Sequence, residues 1–116
     1  MSITTTLKIE GIKPQSKAFN KLDPTVILRL HSILSGIDIF ELNKKFEYEI
    51  ERTSKENVQM TLPNNFVQLL KKLTKEDSHH ILEKWYLSIE VAMNDWGISE
   101  AQGKFKAIKD LCIKAN

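Results

Sequence analysis

The sequence predicts an α+β fold: a small antiparallel sheet of two to three strands with four to five helices packed on one face. Three observations lead there. Apolar and polar residues alternate with period two in short segments at about residues 2–10, 46–52 and 57–62. Apolar residues recur at helical spacing over about residues 24–35, 64–73, 77–95 and 99–114, with a shorter stretch at 38–44. Strand patterns dominate early and helical ones late, the order expected when helices are segregated to one face of an antiparallel sheet.

The first strand places Ile3, Thr5, Leu7 and Ile9 on one side and Thr4, Thr6 and Lys8 on the other, a half-buried pattern rich in β-branched residues. Gly11 and Pro14 end it, and Gln15, Ser16 and Lys17 read as a polar loop anchored by Phe19 and Leu22. Asp23-Pro24 is a helix start, because aspartate accepts orphan amide hydrogens and proline fits the first helical position. The core stripe of that helix is Val26, Ile27, Leu30, Ile33 and Leu34; Arg29, Ser32 and Ser35 point away, and Gly36 closes it. Asp38 with Glu41 has the form of a capping box, opening a short helix that presents Phe40 and Leu42.

Phe46, Tyr48 and Ile50 then alternate with Glu47, Glu49 and Glu51, giving a strand with an apolar and an acidic face. After the polar break Thr53–Asn57, Val58, Met60 and Leu62 complete a hairpin. Pro63 leads into a helix with the stripe Phe66, Val67, Leu70 and Leu73. Thr74 with Asp77, or Ser78, starts the longest helix. Its wide stripe contains Ile81, Leu82, Trp85, Tyr86, Ile89, Ala92, Met93 and Trp96, with Leu87 and Val91 on the opposite side. Gly97 ends it. Ser99 with Gln102 opens the last helix, which turns Ala101, Phe105, Ile108, Leu111, Cys112 and Ala115 inward and Lys104, Lys106, Lys109 and Lys114 toward solvent.

A length of 116 residues fits one domain, 1–116, large enough to bury a core without disulfide or metal staples. Hydrophobic residues make up 41% and charged ones 28%, far from disordered compositions. The net charge of +2 is too small to imply nucleic acid or an anionic membrane. Cys112 is the lone cysteine, which favours a reducing compartment. Met1–Thr6 lacks the basic and apolar runs of a secretory leader, and no apolar run approaches the ~18 residues of a membrane span, so the expected location is the cytoplasm.

The candidate chemistry is weighed against plain structural roles. His79-His80 with Glu83 invites a metal site, yet adjacent histidines on a helix point about 100° apart, and exposed first-turn polar residues are the better reading. Cys112 lies on an apolar stripe without a basic activator, which fits a buried inert thiol. Trp85 and Trp96 follow the core period, which favours packing over a ligand-binding or base-stacking role, with Trp96, at the helix end, the less enclosed of the two. An enzyme would need polar groups to converge, such as His31 meeting His79 or His80 across the core. No catalytic residue, cofactor or metal is expected.

The preferred expectation is a small non-catalytic protein–protein interaction or adaptor domain, forming a homodimer or meeting an unidentified protein partner. Its candidate surface is Leu87 and Val91, opposite the main stripe of the long helix, together with the acidic row Glu47, Glu49 and Glu51. The alternative is nucleic-acid binding by residues 99–114, since Met93–Gln102 resembles the turn of a helix-turn-helix and Lys104, Lys106 and Lys109 come after it. Against that, Gly103 falls where a branched apolar residue is usual, and Asp95, Glu100 and Asp110 dilute the positive field.

Overall fold

In chain order the elements are β1 Thr4–Ile9, β2 Gln15–Phe19, α1 Pro24–Ser35, α2 Ile39–Lys45, β3 Glu49–Arg52, β4 Asn57–Thr61, α3 Asn64–Lys71, α4 Lys75–Tyr86, α5 Ile89–Met93 and α6 Ile98–Lys114. They come from a computed structural model, which describes residues 3–11, 13–46 and 48–115.

The fold is α+β as the patterning predicts, but the sheet has four strands, in the order β2-β1-β4-β3. It is also mixed rather than antiparallel. β1 with β2 and β3 with β4 are antiparallel pairs, joined side by side through the parallel pair β1 and β4, in which Leu7 faces Met60. The overlooked strand is β2, which buries only Phe19 and leaves Ser16, Lys17 and Ala18 exposed. An edge strand needs one hydrogen-bonded neighbour and no apolar face of its own, so periodicity does not reveal it. Along β1 burial alternates, with Thr5, Leu7 and Ile9 turned toward the helices. The opposite edge, β3, is exposed at every residue, and Ile50 keeps 46% of its surface.

Helix α1 packs against α2, α3, α4 and α5, while α6 packs against α3, α4 and β2. Asp23 caps α1 by accepting from the Thr25 amide at 3.0 Å, and Gly36 ends it at φ 73°, a conformation glycine adopts without strain. Ser32, expected to face outward, is buried and donates to the Ile37 carbonyl at 2.5 Å. The short helix α2 buries Leu42 but leaves Phe40 77% exposed. The last helix begins at Ile98 with Gly97 at its cap, so Ser99 lies inside it rather than before it.

The two indoles tie the helical layer together. Trp85 Nε1 donates to the Val26 carbonyl at 2.8 Å and Trp96 Nε1 to the Lys21 carbonyl at 2.7 Å, with the rings edge-to-face at 5.4 Å. Trp96 is core, at 5% exposure, as its place in the apolar period predicts. No described helix is long and apolar enough to cross a membrane.

Candidate functional site

The main departure from the sequence reading lies in residues 77–95, which form two helices rather than one. Ser88 breaks them: its hydroxyl donates to the Trp85 carbonyl at 2.6 Å and accepts from the Val91 amide at 3.4 Å, capping α5. A serine that satisfies backbone groups through its side chain competes with the helical ladder. The break shifts the helical phase of residues 89–93. Val91, expected outside, is buried at 1% exposure, whereas Ile89 and Met93, assigned to the core stripe, are 72% and 82% exposed. Leu87, at the end of α4, is 73% exposed as the sequence places it.

Ile89 and Met93 are one helical turn apart and share a face of α5. The neighbouring Glu90 forms a two-point ion pair with Arg29 of α1, at 2.8 and 3.2 Å. This pair holds α5 to α1, raises the Arg29 pKa and lowers that of Glu90, chiefly through the hydrogen bonds between them. Lys84, Ser88 and Ile33 complete a shallow groove beside Ile89. A helix tied to α1 by this ion pair thus displays apolar side chains beside charged ones. Ser88, midway through an apparently continuous helix, was the available sequence signal.

The acidic row is divided. Glu49 and Glu51 are exposed on β3, opposite Thr61 and Gln59 of β4; Glu47 lies outside the described residues. The lysines of α6 separate as well. Lys109 donates to the Leu73 carbonyl at 3.1 Å and the Ser78 hydroxyl at 2.9 Å, joining the end of α3 to the start of α4. Lys104 pairs with Glu100 at 3.3 Å and sits over the Trp96 ring at 5.2 Å. Lys106 is exposed.

The histidines do not converge. His31 is fully buried between Phe46 and Phe66; Nδ1 is hydrogen-bonded to the Tyr48 hydroxyl, and Nε2 to Asn65 Oδ1 at 2.7 Å. As the neutral tautomer it donates to Asn65 and accepts from Tyr48, which satisfies both nitrogens. Burial lowers the His31 pKa against the opposing Asn65 hydrogen bond, and burial raises that of Tyr48. His79 and His80 lie exposed in the first part of α4. Among the described residues no three His, Cys, Asp or Glu side chains gather as metal ligands. Cys112 is buried in the core, which pushes its thiol pKa up to about 12. Searches of protein-family models, curated proteins and solved structures return no match for this chain.

Proposed function

We propose that the protein is a non-catalytic protein-interaction domain whose docking face is centred on Ile89 and Met93 of α5, with Leu87 beside them. The supporting observation is the exposure of these three large apolar side chains, at 72%, 82% and 73%, within the stretch 87–93 that runs from the end of α4 through α5, where the Arg29–Glu90 pair ties α5 to α1. Burying a side chain of this size is worth about 1.5–3 kcal/mol. Covering all three, each about three-quarters exposed, therefore offers about 3–7 kcal/mol gross before the costs of association, enough to form the apolar centre of an interface. The ion pair and Lys84 supply a polar rim, the usual surround of such a centre. Cys112 is the lone cysteine and has no partner in this chain for a disulfide, which suits a reducing location, and we place the protein in the cytoplasm on that ground.

The test combines solution mass with site-specific crosslinking. Either the wild type doubles its mass on concentration and Met93→Lys abolishes the doubling, or a photoreactive residue at Met93 gives a discrete adduct in cells producing the protein. The adduct is absent with the probe at Glu76 and lost when Ile89→Asp is added. Both substitutions replace exposed side chains and leave the thermal midpoint unchanged. A chain that stays monomeric and crosslinks no more at position 93 than at position 76 refutes the proposal.

A further inference from the structure

A second surface lies between the edge strand β2 and α6, away from the α5 face. Gln15, Ser16 and Lys17 form one wall of a cleft of about 280 Å³. Gly103, Lys106, Asp110 and Lys114 form the other, with Ala107 and Leu111 contributing apolar surface. The helical residues recur at three- and four-residue steps, so the cleft runs lengthwise along one face of α6. From Gly103 to Lys114 a helix rises about 16 Å. An extended chain covers that distance with about five residues.

Three features of this cleft point to the same occupant. First, among the described residues β2 pairs only with β1, and as the terminal strand of the sheet it leaves alternate N–H and C=O groups open along its outer side. Second, Lys17 pairs with the core residue Leu7 and so projects on the helical side of the sheet. It joins Lys106 and Lys114 around the cleft, where Asp110 is the sole acidic residue among the described lining residues. Third, Gly103 interrupts the interior of α6 without a conformational or packing reason, since its φ is not positive and an added Cβ meets nothing within 4 Å. Glycine is a poor helix former, but here its missing side chain keeps the cleft open.

We propose that the cleft binds an extended acidic segment of a partner protein, which adds to the free edge of β2 as a fifth strand and turns its carboxylates toward Lys17, Lys106 and Lys114. Main-chain hydrogen bonds supply affinity in this mode, and alternate side chains supply selection. A second copy of β2 is a poor occupant, because it would bring lysine against lysine.

Fluorescence anisotropy at low salt tests the proposal with a labelled peptide alternating Glu and Val, and with its counterpart in which Gln replaces Glu. The acidic peptide binds, and the Gln peptide binds at least about tenfold more weakly. Combined Lys106→Glu and Lys114→Glu cause a similar loss, and Gly103→Leu, which fills the cleft, removes binding; circular dichroism confirms that each variant is folded. Acidic peptides N-methylated at alternate residues in the two registers differ, one binding and the other not, because one edge of the added strand faces β2. Met93→Lys leaves peptide binding unchanged, which separates this proposal from the one on α5. Absence of binding, equal affinity for the Glu and Gln peptides, equal binding of the two methylated registers, or full binding by Gly103→Leu overturns it. Self-association dispersed by the paired lysine reversals also overturns it, because the occupant is then a second copy.

Discussion

Gly103→Ala separates stability from binding. The residue lies in the interior of the seventeen-residue helix α6, where an added Cβ has no heavy-atom neighbour within 4 Å. The only large consequence of the methyl group is then conformational: glycine in a helix interior is about 0.5–1 kcal/mol less favourable than alanine. Unfolding a chain of 116 residues carries an entropy of about 0.24 kcal/mol per kelvin near the midpoint, at ~2.1 cal/mol/K per residue. The thermal midpoint therefore rises by about 2–4 °C. Circular dichroism melts and urea titrations at neutral pH measure the change. An unchanged or lowered midpoint would show that packing or backbone geometry requires glycine, and the inference that its absent side chain serves the cleft would lose its support.

Two further predictions concern the core. Burial lowers the His31 pKa, so between its folded value and the unfolded value of about 6.5 the unfolded chain binds more protons. Its contribution to stability is complete above pH ~6.5 and declines as pH falls, with a slope of at most about 1.4 kcal/mol per pH unit. Urea unfolding from neutral pH to about pH 5 shows this as a difference between wild type and His31→Gln, and a pH-independent difference refutes it. Ser88→Ala removes the cap on α5 and the hydroxyl bond to Trp85, lowering stability by about 1 kcal/mol. A gain in stability on chemical denaturation would mean that an uninterrupted helix is preferred and that Ser88 does not set the break.

The fold class was legible because most elements present an apolar face of their own. Leu7 and Ile9 alternate, Val26, Ile27 and Leu30 share a helical face, and Asp23-Pro24 and Gly36 mark the helix ends. The errors fall where structure depends on something other than local pattern. Strand β2 is held by its ladder to β1, and Gln15 to Ala18 have no apolar period to betray it. The parallel pairing of β1 with β4 is a long-range choice invisible in either segment. Lys109 looks like any solvated helical lysine until the end of α3 and the first turn of α4 come within reach of its amine. Gly103 was legible as an anomaly, since it sits badly in a helix, but only β2 alongside α6 gives the anomaly a use.

The surface on α5 was misread for a more instructive reason. An uninterrupted helix would have placed Ile89 and Met93 with Trp85 on one stripe and left Val91 outside. The observed break does the reverse, burying one valine and exposing an isoleucine and a methionine. Counted by apolar area alone, the uninterrupted register would be preferred by roughly one large side chain, about 2 kcal/mol. Interactions gained at the break offset that loss: the Ser88 cap, the Arg29–Glu90 pair, and the Asn94 side chain, which accepts from the Asp23 amide at 3.3 Å and donates to the Glu90 carbonyl at 2.9 Å. Each is polar and directional, and together they favour one placement of α5 over the one that buries the most carbon. Where a chain forgoes apolar burial to hold large apolar side chains in water, binding is the natural use of the exposed face. Ser88→Ala and Met93→Lys therefore act differently, the first changing stability by disturbing α5 and the second removing association while stability stays the same.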